Sequence, residues 1–440
     1  MSISPTDSAL FGALFSDPDI AEVFSDAATI RAMLDVEAAL ARVQAKLEII
    51  PQDAAERIAG VAGSFEPDIA GIAAGAEKSG VPIIPLVEQL RAAVGGKAAG
   101  YVHWGATSQD IVDTGLVLRL RGVAGLLAGK IGRISGLLGK LADEHRGTVM
   151  AARTRSQQAL PTSFGLKAAG WLSPLIDHAT RLDEIRPRLL AVQFGGAVGT
   201  HAALGDRGIE VMEALGEELG LAVPAAPWHV QRDGMAEFAG WLSMVSGSLG
   251  KMAQDLILLA QSEVAEVRPG AGGGSSTMPQ KSNPVACEVM VTLARSNAAL
   301  LSAMHQAMIQ EHERGSPGWQ LEWLTLPQMA VATGAALNHA IAVIETLEVD
   351  TARMCANLDV SNGLILAEAA SFALAEHMPR TEAQALVKEA CGEVAQSGRP
   401  LMEILGGKTD APVDWEAVAD PANYLGSANA LIDRILARRG

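Results

Sequence analysis

The sequence predicts an all-α fold with a central bundle of long helices, and three observations lead there. Leu116, Leu120, Val123, Leu127, Ile131, Ile134, Leu138 and Leu141 recur at spacings of three and four, the period that puts side chains on one face of a helix. Leu242, Val245, Leu249, Met252, Leu256 and Leu259 step by 3, 4, 3, 4, 3, a heptad-like seam suited to helix bundling. Composition agrees, because hydrophobic residues make up 49% of the chain but aromatics only 4%. Such an interior is filled by small and aliphatic side chains, which favours close helix packing over a β-sandwich or barrel. The 45 glycines run the other way, since each costs about 1 kcal/mol relative to Ala inside a helix. Close helix–helix contact is the compensation to look for.

In chain order, residues 1–109 read as an N-terminal helical domain. Its clearest helix spans 29–48, and beyond it the helical pattern is interrupted by Pro51, Pro67, Pro82 and Pro85. Residues 110–357 read as the central bundle, with further long helices over 285–312 and 328–357. Apolar seams on several faces imply that bundles pack against copies of themselves. Residues 358–440 carry shorter helices punctuated by Gly and Pro, a small third domain. A chain of 440 residues exceeds one ordinary core, so two or three domains are expected. The stretch from Arg268 to Pro279 does not fit helix at all. Its glycine run between two prolines predicts a loop within the bundle, and long loops in such places are commonly functional.

The formal charge of −16 disfavours nucleic acid or an anionic membrane surface as a partner. It also requires that an anionic substrate meet a local cationic pocket. Cys287, Cys355 and Cys391 are too few and too scattered for a disulfide framework or a cysteine-based metal site, which fits a reducing compartment. No basic stretch precedes an apolar run at the N-terminus, and no apolar run approaches the ~20 residues that span a bilayer. A cytoplasmic protein is expected.

The loop offers Ser275 and Ser276 beside glycine amides, followed by Met278, Lys281 and Asn283. Glycine amides approach a ligand closely and stabilise developing negative charge, Lys281 adds a cation, and Asn283 adds a carboxamide donor. Such a set suits a carboxylate turning into an enediolate. A plain Gly/Ser linker is the alternative, whereas a phosphate-binding loop is excluded by the missing Gly-Lys-Ser/Thr arrangement.

The string GSSTMPQKSNP, residues 274–284, resembles the signature G-S-S-x-M-P-x-K-x-N of the fumarase/aspartase superfamily. That resemblance implies three helical domains with a central five-helix bundle, a homotetramer, and active sites each shared by three subunits. It implies that Ser275 is the catalytic base and that Lys281 and Asn283 bind a carboxylate. His103-Trp-Gly-Ala-Thr-Ser-Gln-Asp110 resembles the superfamily's H-x-G-x-T-S-x-D, which implicates His103, Thr107 and Ser108 in substrate binding. Asp110 also reads as a cap for the long helix after it. Arg153-Thr-Arg-Ser-Gln-Gln-Ala-Leu-Pro161 resembles G-R-T-H-x-Q-x-A-x-P, but Arg155 stands where lyases of the superfamily commonly place a general-acid histidine. An arginine stays protonated, so Arg155 is a poor proton donor and a good anion clamp. Gln157 and Gln158 are expected to orient the substrate.

Segments from about residue 10 to 430 resemble the muconate cycloisomerase branch. That branch implies lactonisation of 3-carboxy-cis,cis-muconate to a carboxymuconolactone, in aromatic catabolism, with no cofactor, nicotinamide, nucleotide or metal. The alternatives are a 3-sulfomuconate substrate favoured by Arg155, an adenylosuccinate- or argininosuccinate-type lyase, and a non-catalytic structural protein. Arg232, His312 and Arg314 stay open between turn formation and substrate binding.

Overall fold

The computed structural model describes residues 4–270, 273–274, 278 and 281–439. Over these the chain is helical, with its strands confined to three two-stranded ladders. The N-terminal helices include Asp26–Lys46 (α1) and Ile83–Val94 (α2). Ser25 caps α1 by accepting from the Ala28 amide, and the helix buries Met33, Leu40 and Val43 together with two polar residues, Glu37 and Gln44.

Five long helices come next: Ser108–Glu144 (α3), Phe164–Leu189 (α4), Asp233–Leu259 (α5), Val285–Ala307 (α6) and Pro317–Glu345 (α7). Both predicted seams are core. Leu120, Val123, Leu127, Ile134 and Leu138 are each 0% exposed, and so are Leu242, Val245 and Leu256. The expected helix over 328–357 is corrected. Helix α7 starts at Pro317, where a missing N–H costs nothing, and ends at Glu345. Leu347–Val349 then forms a strand pairing antiparallel with Val267–Pro269, and a separate helix, Thr351–Asp359, begins at the Asp350 cap. The strand depends on a partner far away in sequence, which local periodicity does not reveal. Likewise α6 stops at Ala307 rather than running to 312.

A second unforeseen element is the hairpin Val149–Thr154 (β1) with Gln157–Ser163 (β2). Thr154 pairs with Gln157, and the two turn residues, Arg155 and Ser156, have φ of 50° and 65°. Two successive positive φ values are what a two-residue hairpin with native twist demands.

The chain divides into two compact units, and the long helices contribute to both. The first comprises the chain up to Lys130, His178–Gly247 and Thr292–Leu337. There the buried Asn297 amide on α6 donates to Ser246 on α5 (3.1 Å) and to Thr333 on α7 (2.9 Å), tying three helices together. Among the described residues α6 alone is long and apolar enough to cross a membrane, by length and composition only. Asn297 ties one face of it to α5 and α7.

The second unit comprises Ile131–Asp177, Ser248–Val291 and the chain from Asn338 onward. Here Gly165, at the start of α4, lies so close to the end of α3 that a Cβ would sit 2.5 Å from the Ala142 carbonyl oxygen. This is the close contact for which some of the glycines compensate. Leu366, Leu374, Val387, Leu401 and Leu405 form the core of the C-terminal helices.

Candidate active site

Within the first unit, the segment 103–110 leads into α3, and its conformation is set by one buried carboxylate. Asp110 is 0% exposed and is the third residue of the helix. Its Oδ2 accepts from the Thr107 amide at 3.0 Å, the cap expected from sequence. The same carboxylate accepts from the Gly195 and Gly196 amides (3.0 and 2.9 Å) and is 2.7 Å from His229 Nε2. Asp110 therefore locks two separate segments, around Gly195–Gly196 and His229, onto the start of α3. Hydrogen bonds to a charged acceptor contribute about 1.5–3 kcal/mol each.

Thr107 is thereby presented to Arg314, whose Nη1 donates to Thr107 Oγ1 at 2.5 Å and to the Ala197 carbonyl at 3.2 Å. Arg314 is half-buried, whereas His312 in the same turn is exposed. In that turn Arg314 joins Thr107, and His312 faces solvent. His103, Arg91 and Ser108 line a cavity of about 130 Å³ next to this segment. The first unit thus gathers His103, Thr107, Ser108 and Arg314, a set of donors and cations suited to a carboxylate.

Arg232 belongs elsewhere. It is 1% exposed and donates to Glu322 (2.8 and 2.5 Å) and to Asp113 (2.6 and 3.2 Å), with its guanidinium 4.8 Å from the Trp228 ring centroid. Burial alone would lower its pKa, but the two carboxylates overcome that and hold it charged. One cation serves two acids here, and burial pushes the Glu322 carboxyl up despite Arg232. This is a structural cluster, so the substrate-binding option for Arg232 is withdrawn. It does bear on the site, because Asp113 accepts from Gln109, whose Oε1 lies 3.4 Å from Arg314 Nε.

In the second unit the β1–β2 hairpin carries Arg155 exposed at its tip, with Gln157 and Gln158 exposed beside it. Gln158 Nε2 donates to the Asn357 carbonyl at 2.9 Å, so that side chain also anchors the hairpin. Arg153 grips the wholly buried Glu266 through two hydrogen bonds of 2.9 and 2.6 Å, and Asn357 donates to the same carboxylate. These ties fix the strand while leaving Arg155 projecting at the turn.

The signature loop begins and ends in a short ladder, in which Gly273 pairs with Asn283 and Gly274 with Ser282. At Gly273 a Cβ would lie 2.6 Å from Val285 Cγ2, so close approach is one reason for glycine there. Lys281 is exposed, with its amide donating to the Met278 carbonyl at 3.0 Å, and Met278 is 41% exposed. Ser275 and Ser276 lie outside the described residues.

A family model described as lyase matches residues 15–297, and one described as adenylosuccinate lyase C-terminus matches residues 363–435. The chain belongs to this lyase family, within the fumarase/aspartase superfamily. The 3-carboxy-cis,cis-muconate cycloisomerase of Pseudomonas aeruginosa is 44% identical, over 97% of this chain and 96% of its own length. The 3-carboxy-cis,cis-muconate lactonizing enzyme from Pseudomonas putida superposes with a TM-score of 0.92 at 40% identity, covering 98% of this chain and 99% of its own. A fumarate lyase from Mesorhizobium sp. BNC1 superposes with a TM-score of 0.91 at 42% identity, covering 96% and 98%.

Proposed function

We propose that this lyase-family chain is a 3-carboxy-cis,cis-muconate cycloisomerase. The observation that carries the reading is the full-length likeness to the Pseudomonas aeruginosa cycloisomerase, which extends over the 103–110 segment, the β1–β2 hairpin and the signature loop alike. Arg155 supports it on chemical grounds. A cation that does not give up its proton replaces the usual acid, so the reaction favoured is one whose leaving or adding group stays attached to the substrate.

In that reaction a carboxylate oxygen of the muconate forms a C–O bond to the γ-carbon, and the diene electrons move to the other carboxylate as an enediolate. A proton added at its α-carbon completes the lactone. Atoms and electrons balance within the substrate plus one proton. The roles proposed are Lys281, Asn283, Thr107, Ser108 and Arg155 as carboxylate ligands, joined by Arg314, with Gln157 and Gln158 orienting. Ser275 handles the α-proton, beside the loop amides, Ser276 and Met278. A free serine hydroxyl is far too weak an acid, so activation by Lys281 and the amides belongs to the proposal. We further propose three helical domains, divided near 110 and 358, and a homotetramer whose sites combine segments of different copies. A cytoplasmic location fits the catabolic role.

The test is loss of the diene's ultraviolet absorbance when purified protein meets 3-carboxy-cis,cis-muconate, with 3-sulfomuconate and fumarate adducts as comparisons. Rapid loss with lactone formation supports the reading. Inertness toward it, with turnover of a fumarate adduct, would overturn it. Ser275→Ala with near-wild-type turnover would remove Ser275 alone.

A further inference from the structure

His103 has a partner that no motif predicts. Its Nδ1 lies 2.5 Å from Oε1 of Glu37, which projects from the middle of α1 and is 1% exposed. The second oxygen of Glu37, Oε2, is buried with no hydrogen-bond partner among the described residues. A buried carboxylate satisfied at only one atom is costly unless the group it touches is charged. Two turns along α1, Gln44 Nε2 donates to the Trp104 carbonyl at 2.7 Å, so the same helix face grips both His103 and its neighbour. His103 itself has φ of 63°, a left-handed backbone costly for a side chain other than glycine, and these two contacts hold it there.

We propose that Glu37 is a positioning residue of the reaction: it orients the His103 ring through Nδ1 and keeps it cationic, so that Nε2–H meets a substrate carboxylate in the adjoining cavity. That cavity, about 130 Å³, is lined by Ser108, Arg91 and Glu88 as well as His103, with Ile83 and Val87 as apolar walls. It has room for a carboxylate, since a single water needs only about 10–15 Å³ by the same measure. The charged groups facing His103 are Glu37 from α1, Arg91 and Glu88 from α2, and Asp110 from α3. Burial alone would lower the His103 pKa, but the charge and hydrogen bond of Glu37, with Asp110 behind, raise it against the opposing pull of Arg91. The identity of the anion rests on the cycloisomerase reading; the pairing of Glu37 with His103 does not.

The experiment uses the full chain labelled at its histidine rings, with the His103 signal assigned by its loss in His103→Gln. Wild-type His103 is expected to stay protonated to a higher pH than free histidine, and Glu37→Gln to abolish that difference. In the muconate assay, Glu37→Gln is expected to lose about tenfold in kcat/KM near pH 7, mainly through KM, and less near pH 5, where even the buried ring takes up its proton more readily. Glu37→Asp should recover part of the loss. A wild-type His103 that titrates at or below free histidine overturns the proposal, and that reading does not depend on Glu37→Gln folding. An equal loss at both pH values also overturns it, since that marks a merely structural role. If the wild type ignores the muconate, the functional reading fails, and the ring titration alone decides the pair.

Discussion

Replacing Arg232 with Met tests whether the cluster beneath the 103–110 segment is ionised. The substitution keeps an apolar stem against Trp228 but removes four hydrogen bonds of 2.5 to 3.2 Å. It leaves Asp113 (0% exposed) and Glu322 (1% exposed) without their cation. Stripping one partner from a buried ionic cluster costs about 3–5 kcal/mol, because the remaining charge is neither solvated nor paired. Burial already raises the Glu322 pKa, and without Arg232 it rises further. A carboxyl whose folded pKa is raised above its unfolded value contributes stability that is fully present below the unfolded pKa. That contribution is lost as pH rises through the folded value. Arg232→Met should therefore come closest to wild type near pH 5 and fall behind by the full 3–5 kcal/mol near pH 8. Urea unfolding at fixed protein concentration at both pH values measures this. A deficit below about 1 kcal/mol at pH 8, or one that shrinks as pH rises, would refute the charged-cluster argument.

Two further perturbations address the site and the fold. Arg314→Lys keeps the charge but loses the planar fork whose Nη1 meets Thr107 while Nε faces Gln109; kcat/KM on 3-carboxy-cis,cis-muconate should fall roughly a hundredfold, about 3 kcal/mol, and an unchanged value would exclude Arg314 from the site. Gly165→Ala forces a Cβ to within 2.5 Å of the Ala142 carbonyl and 2.8 Å of the Arg146 amide nitrogen. Backbone cannot yield as a side chain can, so a loss of about 1–3 kcal/mol in the same unfolding assay is expected, and no loss would show that α3 and α4 are not so closely apposed.

The long helices were legible because their signal is local. Residues such as Leu120, Leu127, Leu242 and Leu249 repeat at helical spacing, and a helix needs only its own neighbours in sequence to form its hydrogen bonds. The chemistry-bearing strings were legible for a related reason: Thr107, Ser108, Lys281 and Asn283 sit in short segments whose order is unbroken. The cap at Asp110 was legible too, being a contact with Thr107 three residues away.

What sequence alone could not supply depends on partners distant along the chain. The strand Leu347–Val349 exists through Val267–Pro269, and the β1–β2 hairpin is anchored by Gln158 reaching Asn357. Asp110 proved to be more than a cap because Gly195, Gly196 and His229 fold back onto it. Arg232 looked open to a ligand until Asp113 and Glu322 closed around it. Arg314 and Glu37 carry no motif of their own; each acquires its role by facing Thr107 or His103 at a sequence distance of 207 or 66 residues. By itself the sequence determined the helices, the family strings and the caps, all of which are written in neighbouring residues. The tertiary structure decided which buried charges are paired and with whom, because desolvation and ion pairing depend on distances that only the folded chain sets.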